Sequence, residues 1–168
     1  MKAQNLKRAL ISSFLIMGLS LFSFASEKDD FFQIGDLKVA PGELKSGYLA
    51  LPEKDDVGGL IPLTVINGSK KGKVLALVAG VHAYEYPPIL SLYRLKKMVD
   101  PRSLQGTLIL VYIANLHSFQ KRTIYYNPYD WKNLNRVFPG SPEGTITQRL
   151  AYLLTEEVIK KCDFLIDL

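Results

Sequence analysis

At 168 residues with a formal charge of +5, the chain has room for one domain with a buried core and little more. Lys2, Lys7 and Arg8 account for three of those charges, so the chain from Ser26 onward carries only +2 and gives no charge-based case for nucleic-acid binding. A lone Cys162 excludes an internal disulfide and reads as a buried structural thiol on the apolar side of a helix.

Taken in order, the first thirty residues stand apart. A basic start is followed by an apolar stretch from about Ala9 to Ala25, and "SFA", Ser23 to Ala25, supplies the small residues a signal peptidase reads. Residues 1–25 are therefore expected to be a signal peptide, and the protein to be secreted or periplasmic without stable membrane association after cleavage. The other reading is an uncleaved anchor, since the stretch sits at the short edge of a spanning helix. No cysteine follows it, so a bacterial lipid anchor is not indicated. Residues 26–168 form the expected domain.

The segment from Phe31 to Glu53, broken by Pro41-Gly42, predicts two short strands. Two more strands, at about 61–67 and 73–79, flank "GSKKG" and predict a hairpin. The second is almost continuously apolar, as in a strand covered on both faces. "PPILSLYRLKKMVD" predicts a helix with proline in its first turn and Ile89, Leu92, Leu95 and Val99 near helical spacing. "GTLILVYIAN" is the next buried strand, and residues 116–144 form a polar, aromatic segment with no period. "TITQRLAYLLTEEVIKK" predicts a second helix, with Thr145 and Gln148 at capping-box spacing and Ile146, Leu150, Leu154 and Val158 on one stripe. "DFLIDL" begins a last strand. The alternation gives an α/β class, with a mixed, largely parallel central sheet flanked by helices. Ligands in such sheets collect beyond the carboxyl ends of the strands, where His82 and Asn115 fall.

Two stretches carry chemistry. His82 is one of two histidines in the chain, and Glu85 follows it three residues later. Tyr86 and Pro87 each precede a proline, which places Glu85 on an extended loop rather than inside the helix. An imidazole and a carboxylate so placed form half of a zinc site, although a surface histidine beside a solvated acid has the same spacing. The second stretch interleaves Arg122, Lys132 and Arg136 with Tyr125, Tyr126, Tyr129, Trp131 and Phe138. A loop of that length suits recognition of an anionic group, because a guanidinium bonds both oxygens of a carboxylate. An aromatic-pinned surface loop with solvated cations is the alternative.

"AGVHAYEYPPI", "NLHSFQKRTIYYNPYDWKNLNRVFPG" and "FLIDL", in that order, resemble the succinylglutamate desuccinylase/aspartoacylase family of the zinc carboxypeptidase-like (M14-like) fold, from about Gly35 to Leu168. The resemblance implies Zn2+ as cofactor with His82 and Glu85 as metal ligands. It implies Arg122 as the catalytic group that polarises the scissile carbonyl, and Asn135 and Arg136 as the substrate-binding pair. The implied substrate is a small anionic acyl-amino acid or a peptide C-terminus, cleaved at an amide bond beside its carboxylate.

Ala83 stands where the family has glycine and Leu116 where it has proline. The resemblance also implies a histidine ligand directly after the "DL" of the last strand and a general-base glutamate later still. The sequence stops at Leu168, so the fold is expected to be incomplete at its C-terminus, and this chain alone to bind zinc weakly with negligible turnover. His117 is a conceivable substitute ligand, better read as a polar loop histidine. Asp167 reads either as support for the site or as a plain strand-end carboxylate. The rival to an enzyme is a non-catalytic remnant or a ligand-binding module that keeps the fold.

Overall fold

The computed structural model describes residues 31–55 and 57–168, and the expected signal peptide lies outside them. The elements in chain order are β1 (Phe32–Ile34), β2 (Leu37–Val39), β3 (Glu43–Lys54), β4 (Val57–Asn67), β5 (Lys70–Val78), α1 (Tyr86–Met98), β6 (Gln105–Val111), α2 (Leu116–Lys121), α3 (Ile146–Glu157) and β7 (Phe164–Asp167). Single helical turns lie at Leu134–Arg136 and Ile159–Lys161. Strands β3 to β7 form one five-stranded sheet in the order β3-β4-β6-β5-β7, beside a two-stranded β1-β2 ribbon. The β3-β4 and β4-β6 pairs are antiparallel, whereas β5 runs parallel to both β6 and β7. The fold is therefore mixed α/β, with its parallel pairs at the site-bearing half of the sheet.

Successive side chains of a strand face opposite ways, so each central strand feeds two layers. Ala76 and Val78 of β5, with Ile109 and Val111 of β6, pack against Leu150, Leu154 and Val158. The intervening Leu77 and Leu110 pack against Ile89 and Leu92 of α1. Burying a side chain such as Leu154 or Leu92 stabilises the fold by about 1.5–3 kcal/mol. This two-sided demand explains the continuous apolar runs in the sequence. At the start of α3, the Thr145 N–H donates to Gln148 Oε1 at 3.0 Å, one arm of the expected capping box.

Several local expectations change. The strands on either side of "GSKKG" do not pair, because β6 lies between β4 and β5. The edges of β4 are taken by β3 and β6, and those of β5 by β6 and β7. Strand β5 gains β6 through the α1 crossover and β7 through α3. Gly68 and Ser69 instead donate their N–H groups to Gly106 O and Pro101 O. The N-terminal segment holds three strands rather than two, with Pro41-Gly42 marking the break before the 12-residue β3. The 116–144 segment contains α2, whose 6 residues are too few to show a period. Cys162 follows the Ile159–Lys161 turn rather than lying within a helix; it is half-buried, and burial pushes its thiol up. Among the described residues no helix is long and apolar enough to cross a membrane.

Candidate functional site

The site grows from the carboxyl end of β5. Gly80 there has φ +69, and a Cβ on it would meet Ile113 Cα at 2.8 Å, so the chain needs glycine to turn at this point. The turn is tied to the segment beyond β6 by Ala114 N–H to Ala79 O and Asn115 N–H to Gly80 O. His82 follows two residues after Gly80. Glu85 occupies the N-cap position of α1 at φ −77, ψ 71, outside helical geometry, and its side chain does not cap the helix. Pro at the start of α1 removes an N–H that a cap would otherwise satisfy. The carboxylate faces His82 instead, with Glu85 Oε1 3.3 Å from His82 Nδ1.

That separation has a chemical meaning. Two ligands of one tetrahedral zinc, at about 2.0–2.2 Å each, stand roughly 3.4 Å apart. His82 and Glu85 thus fit two positions of such a site, and they are the residues that would hold the metal. His82 Nε2 is buried and has no hydrogen-bond partner. Among the described residues no group of three or more His, Cys, Asp or Glu converges to complete a ligand set.

Asp167 enters the same field from β7, opposite Val78 in the parallel β5-β7 register. Partial burial pushes its carboxyl up, the nearby Glu85 charge pushes it further, and His82 opposes both. Asp167 and Asn135 also line one cavity of about 180 Å³ with Val78, Val81, Phe138 and Leu165 among its walls.

The residues of the basic, aromatic segment are positioned by a buried polar hub. Asn115 caps α2 through Oδ1, which accepts from Ser118 N at 3.3 Å and from Asn127 Nδ2 at 3.3 Å. Asp130 Oδ1 accepts from Thr147 Oγ1 at 2.6 Å and from Lys132 N at 3.2 Å. Burial would raise the Asp130 carboxyl, but hydrogen bonds from Thr145, Thr147 and Lys132 outweigh burial and leave it lowered. Arg122 ends α2 in the left-handed region at φ 56 with its side chain exposed. Asn135 and Arg136 sit exposed on the Leu134–Arg136 turn, and Arg136 Nη1 donates to Asn135 O at 3.1 Å. No hydrogen bond, ion pair or ring contact among the described residues joins Arg122, Asn135 or Arg136 directly to His82 or Glu85.

Tyr125 makes the connection that spacing did not reveal. Its ring lies 5.1 Å from that of His82 at 83°, and 6.0 Å from that of Tyr84 at 85°. His117 lies elsewhere: on α2, half-buried, with Nδ1 3.4 Å from Asn127 Nδ2 and its ring 4.9 Å from Tyr129. Burial lowers its pKa, a backbone hydrogen bond to Gly58 opposes that, and nothing brings it to the Glu85 carboxylate. The signal available for the hub was "NP" at Asn127-Pro128, which marks a turn but not the partners it gathers.

Comparison with known proteins places this arrangement. Residues 71–168 match the succinylglutamate desuccinylase/aspartoacylase catalytic domain. The chain is 32% identical over 131 residues to the N-alpha-acetyl-L-2,4-diaminobutyric acid deacetylase of Halomonas elongata, covering 74% of this chain and 37% of that protein. Among solved structures, the succinylglutamate desuccinylase/aspartoacylase from Rhodobacter sphaeroides superposes with a TM-score of 0.67 at 29% identity, over 74% of this chain and 39% of the other. The product-bound ectoine utilization protein EutE (DoeB) from Ruegeria pomeroyi gives 0.70 at 28% identity, over 84% and 43%. The chain spans less than half the length of each of these relatives. With more than half of its residues matched to that catalytic domain, the chain belongs to the succinylglutamate desuccinylase/aspartoacylase family.

Proposed function

We propose that this chain belongs to a secreted or periplasmic zinc-dependent hydrolase that cleaves an amide bond beside a carboxylate, in a small N-acyl amino acid or at a peptide C-terminus. The observation that carries the reading is the 3.3 Å approach of His82 Nδ1 and Glu85 Oε1 at a strand end, the span two ligands of one zinc require. The deacetylase relative supports an acyl-amino acid over a peptide.

His82 and Glu85 hold the metal. Zinc, when bound, supplies a Lewis acid for the carbonyl and lowers the pKa of a water. Arg122 offers a permanent positive charge to the oxygen on which charge develops as the carbonyl carbon becomes tetrahedral. Arg136 and the Asn135 amide hold the substrate carboxylate, the guanidinium through two parallel N–H bonds and the amide through a third. Fixing the carboxylate fixes the distance to the amide bond beside it.

Two ligands from the described residues make weak zinc affinity and negligible turnover the expected behaviour of this chain alone. Calorimetric titration of the chain with Zn2+ tests the central claim. Weak binding lost in His82→Ala supports the metal reading, and binding unchanged by that substitution sinks it. Robust, chelator-sensitive hydrolysis of N-acetyl amino acids by this chain overturns the expectation of inactivity.

A further inference from the structure

The segment that carries Arg122, Asn135 and Arg136 is bound to itself, to α2 and, through Asp130 and Lys132, to α3. Tyr126 O accepts from Thr123 Oγ1 at 2.6 Å and from Ser118 Oγ at 2.9 Å. Tyr126 bridges to Asn133, and Asn127 exchanges backbone bonds with Lys132 and Trp131 at 2.9 Å each. The segment is thus one tied unit, and Tyr125 carries its ring contacts to the loop holding His82 and Glu85. Both ring contacts between that unit and the loop run through Tyr125, one to His82 and one to Tyr84.

We propose that Tyr125 is a positioning residue that couples the imidazole of His82 to the anion-binding segment. A ring packed at 83° against the imidazole restricts its rotation, and the same contact joins the Arg122–Arg136 unit to the loop that carries His82. The orientation of His82 that suits a metal and the seated position of the unit are then one state, so occupancy of either favours the other, and by equal factors. The contact to His82 is made by the ring of Tyr125, ring to ring, while its hydroxyl meets that of Tyr84. The inference rests on His82 being a ligand, as proposed above.

Trp131 is the sole tryptophan, stands on the same unit and is 69% exposed, which makes it a built-in reporter. The test titrates Zn2+ against a chelating dye and records time-resolved anisotropy of Trp131 for the full chain and for Y125F, Y125L, Y125A and H82A. Tyr125→Ala is expected to weaken Zn2+ binding about tenfold, in the range found when a partner orienting a metal-bound histidine is removed. It is also expected to add fast segmental motion at Trp131. Tyr125→Phe should keep both within about twofold of wild type. Metal-free His82→Ala should loosen Trp131 in the same way.

Wild-type affinity in Tyr125→Ala overturns the coupling, and so does damage in Tyr125→Phe equal to that in Tyr125→Ala. Should Tyr125→Ala lack a folded circular-dichroism spectrum, Tyr125→Leu serves, which keeps bulk but loses the planar ring. If wild type binds no Zn2+, the metal reading has failed by itself. The metal-free anisotropy of His82→Ala and Tyr125→Ala then decides the seating, and rigid Trp131 in both overturns it.

Discussion

His82 Nδ1 and Glu85 Oε1 face each other across 3.3 Å because the helix behind them begins with prolines and makes no use of the Glu85 carboxylate. In Glu85→Gln the amide keeps the shape but offers a neutral, weaker ligand. Zn2+ affinity measured by dye competition is expected to fall at least tenfold, a loss on the scale of an altered metal shell. An unchanged affinity would place the metal elsewhere or nowhere.

Arg136 leans on Asn135 O at 3.1 Å, which holds its guanidinium over the exposed turn. Arg136→Lys keeps the charge and loses the two-pronged geometry. Calorimetric binding of N-acetylglycine should weaken by about 5–30-fold, equivalent to roughly 1–2 kcal/mol for a charged hydrogen bond. Affinity equal to wild type would remove Arg136 from carboxylate recognition.

Asp130 ties the loop to α3, with Thr147 Oγ1 donating to its carboxylate at 2.6 Å. Its carboxyl is lowered in the folded chain below the ordinary aspartate range, so the unfolded state takes up a proton first as pH drops. Its contribution to stability is therefore complete above about pH 4–5 and lost as pH falls through the lower, folded-state pKa. Asp130→Asn should cost about 1–2 kcal/mol at pH 7, less than a fully buried carboxylate because the site is partly open to solvent, and progressively less as pH falls below about 4. Urea midpoints across that range check both the size and the sign, and a pH-independent difference would assign the effect to packing.

Trp131 holds φ 54, the left-handed region that an indole side chain occupies at a cost. Trp131→Gly removes that cost while adding freedom to the unfolded chain, for a net gain of roughly 0.5–1 kcal/mol. Gly80→Ala is the opposite case, with φ +69 and Ile113 Cα at 2.8 Å from the new methyl, and should lose about 1–3 kcal/mol. Thermal melts of the two variants moving in the same direction would contradict this account.

The proposed export would leave a direct mark. Amino-terminal sequencing of the protein recovered from the extracytoplasmic fraction should begin at Ser26, one residue past the "SFA" signal. A chain still beginning at Met1 in the membrane fraction would favour the anchor.

Much of the architecture was legible in neighbours along the chain. The apolar runs of β5 and β6, the stripe of α3 and its Thr145–Gln148 box depend on periods and capping within a few residues, and those are local properties. His82 and Glu85 were legible for the same reason, since three residues and two prolines set their relation. Strand order was not legible: whether β4 pairs with β5 or with β6 depends on which edges remain open once β3 and β7 have docked. Helix α2 was hidden because 6 residues held by Asn115 and ended by a left-handed Arg122 leave no period to read. The contact of Tyr125 with His82 and the shared field of Asp167 and Glu85 join residues far apart in sequence through the β5-β7 register and a loop folded back on its own bonds. The sequence by itself determined most of the elements and the relation of His82 to Glu85, because short-range sterics and burial decide them. Only the tertiary structure decided what surrounds that pair, because proximity across a sheet is set by which strands meet and not by any spacing along the chain.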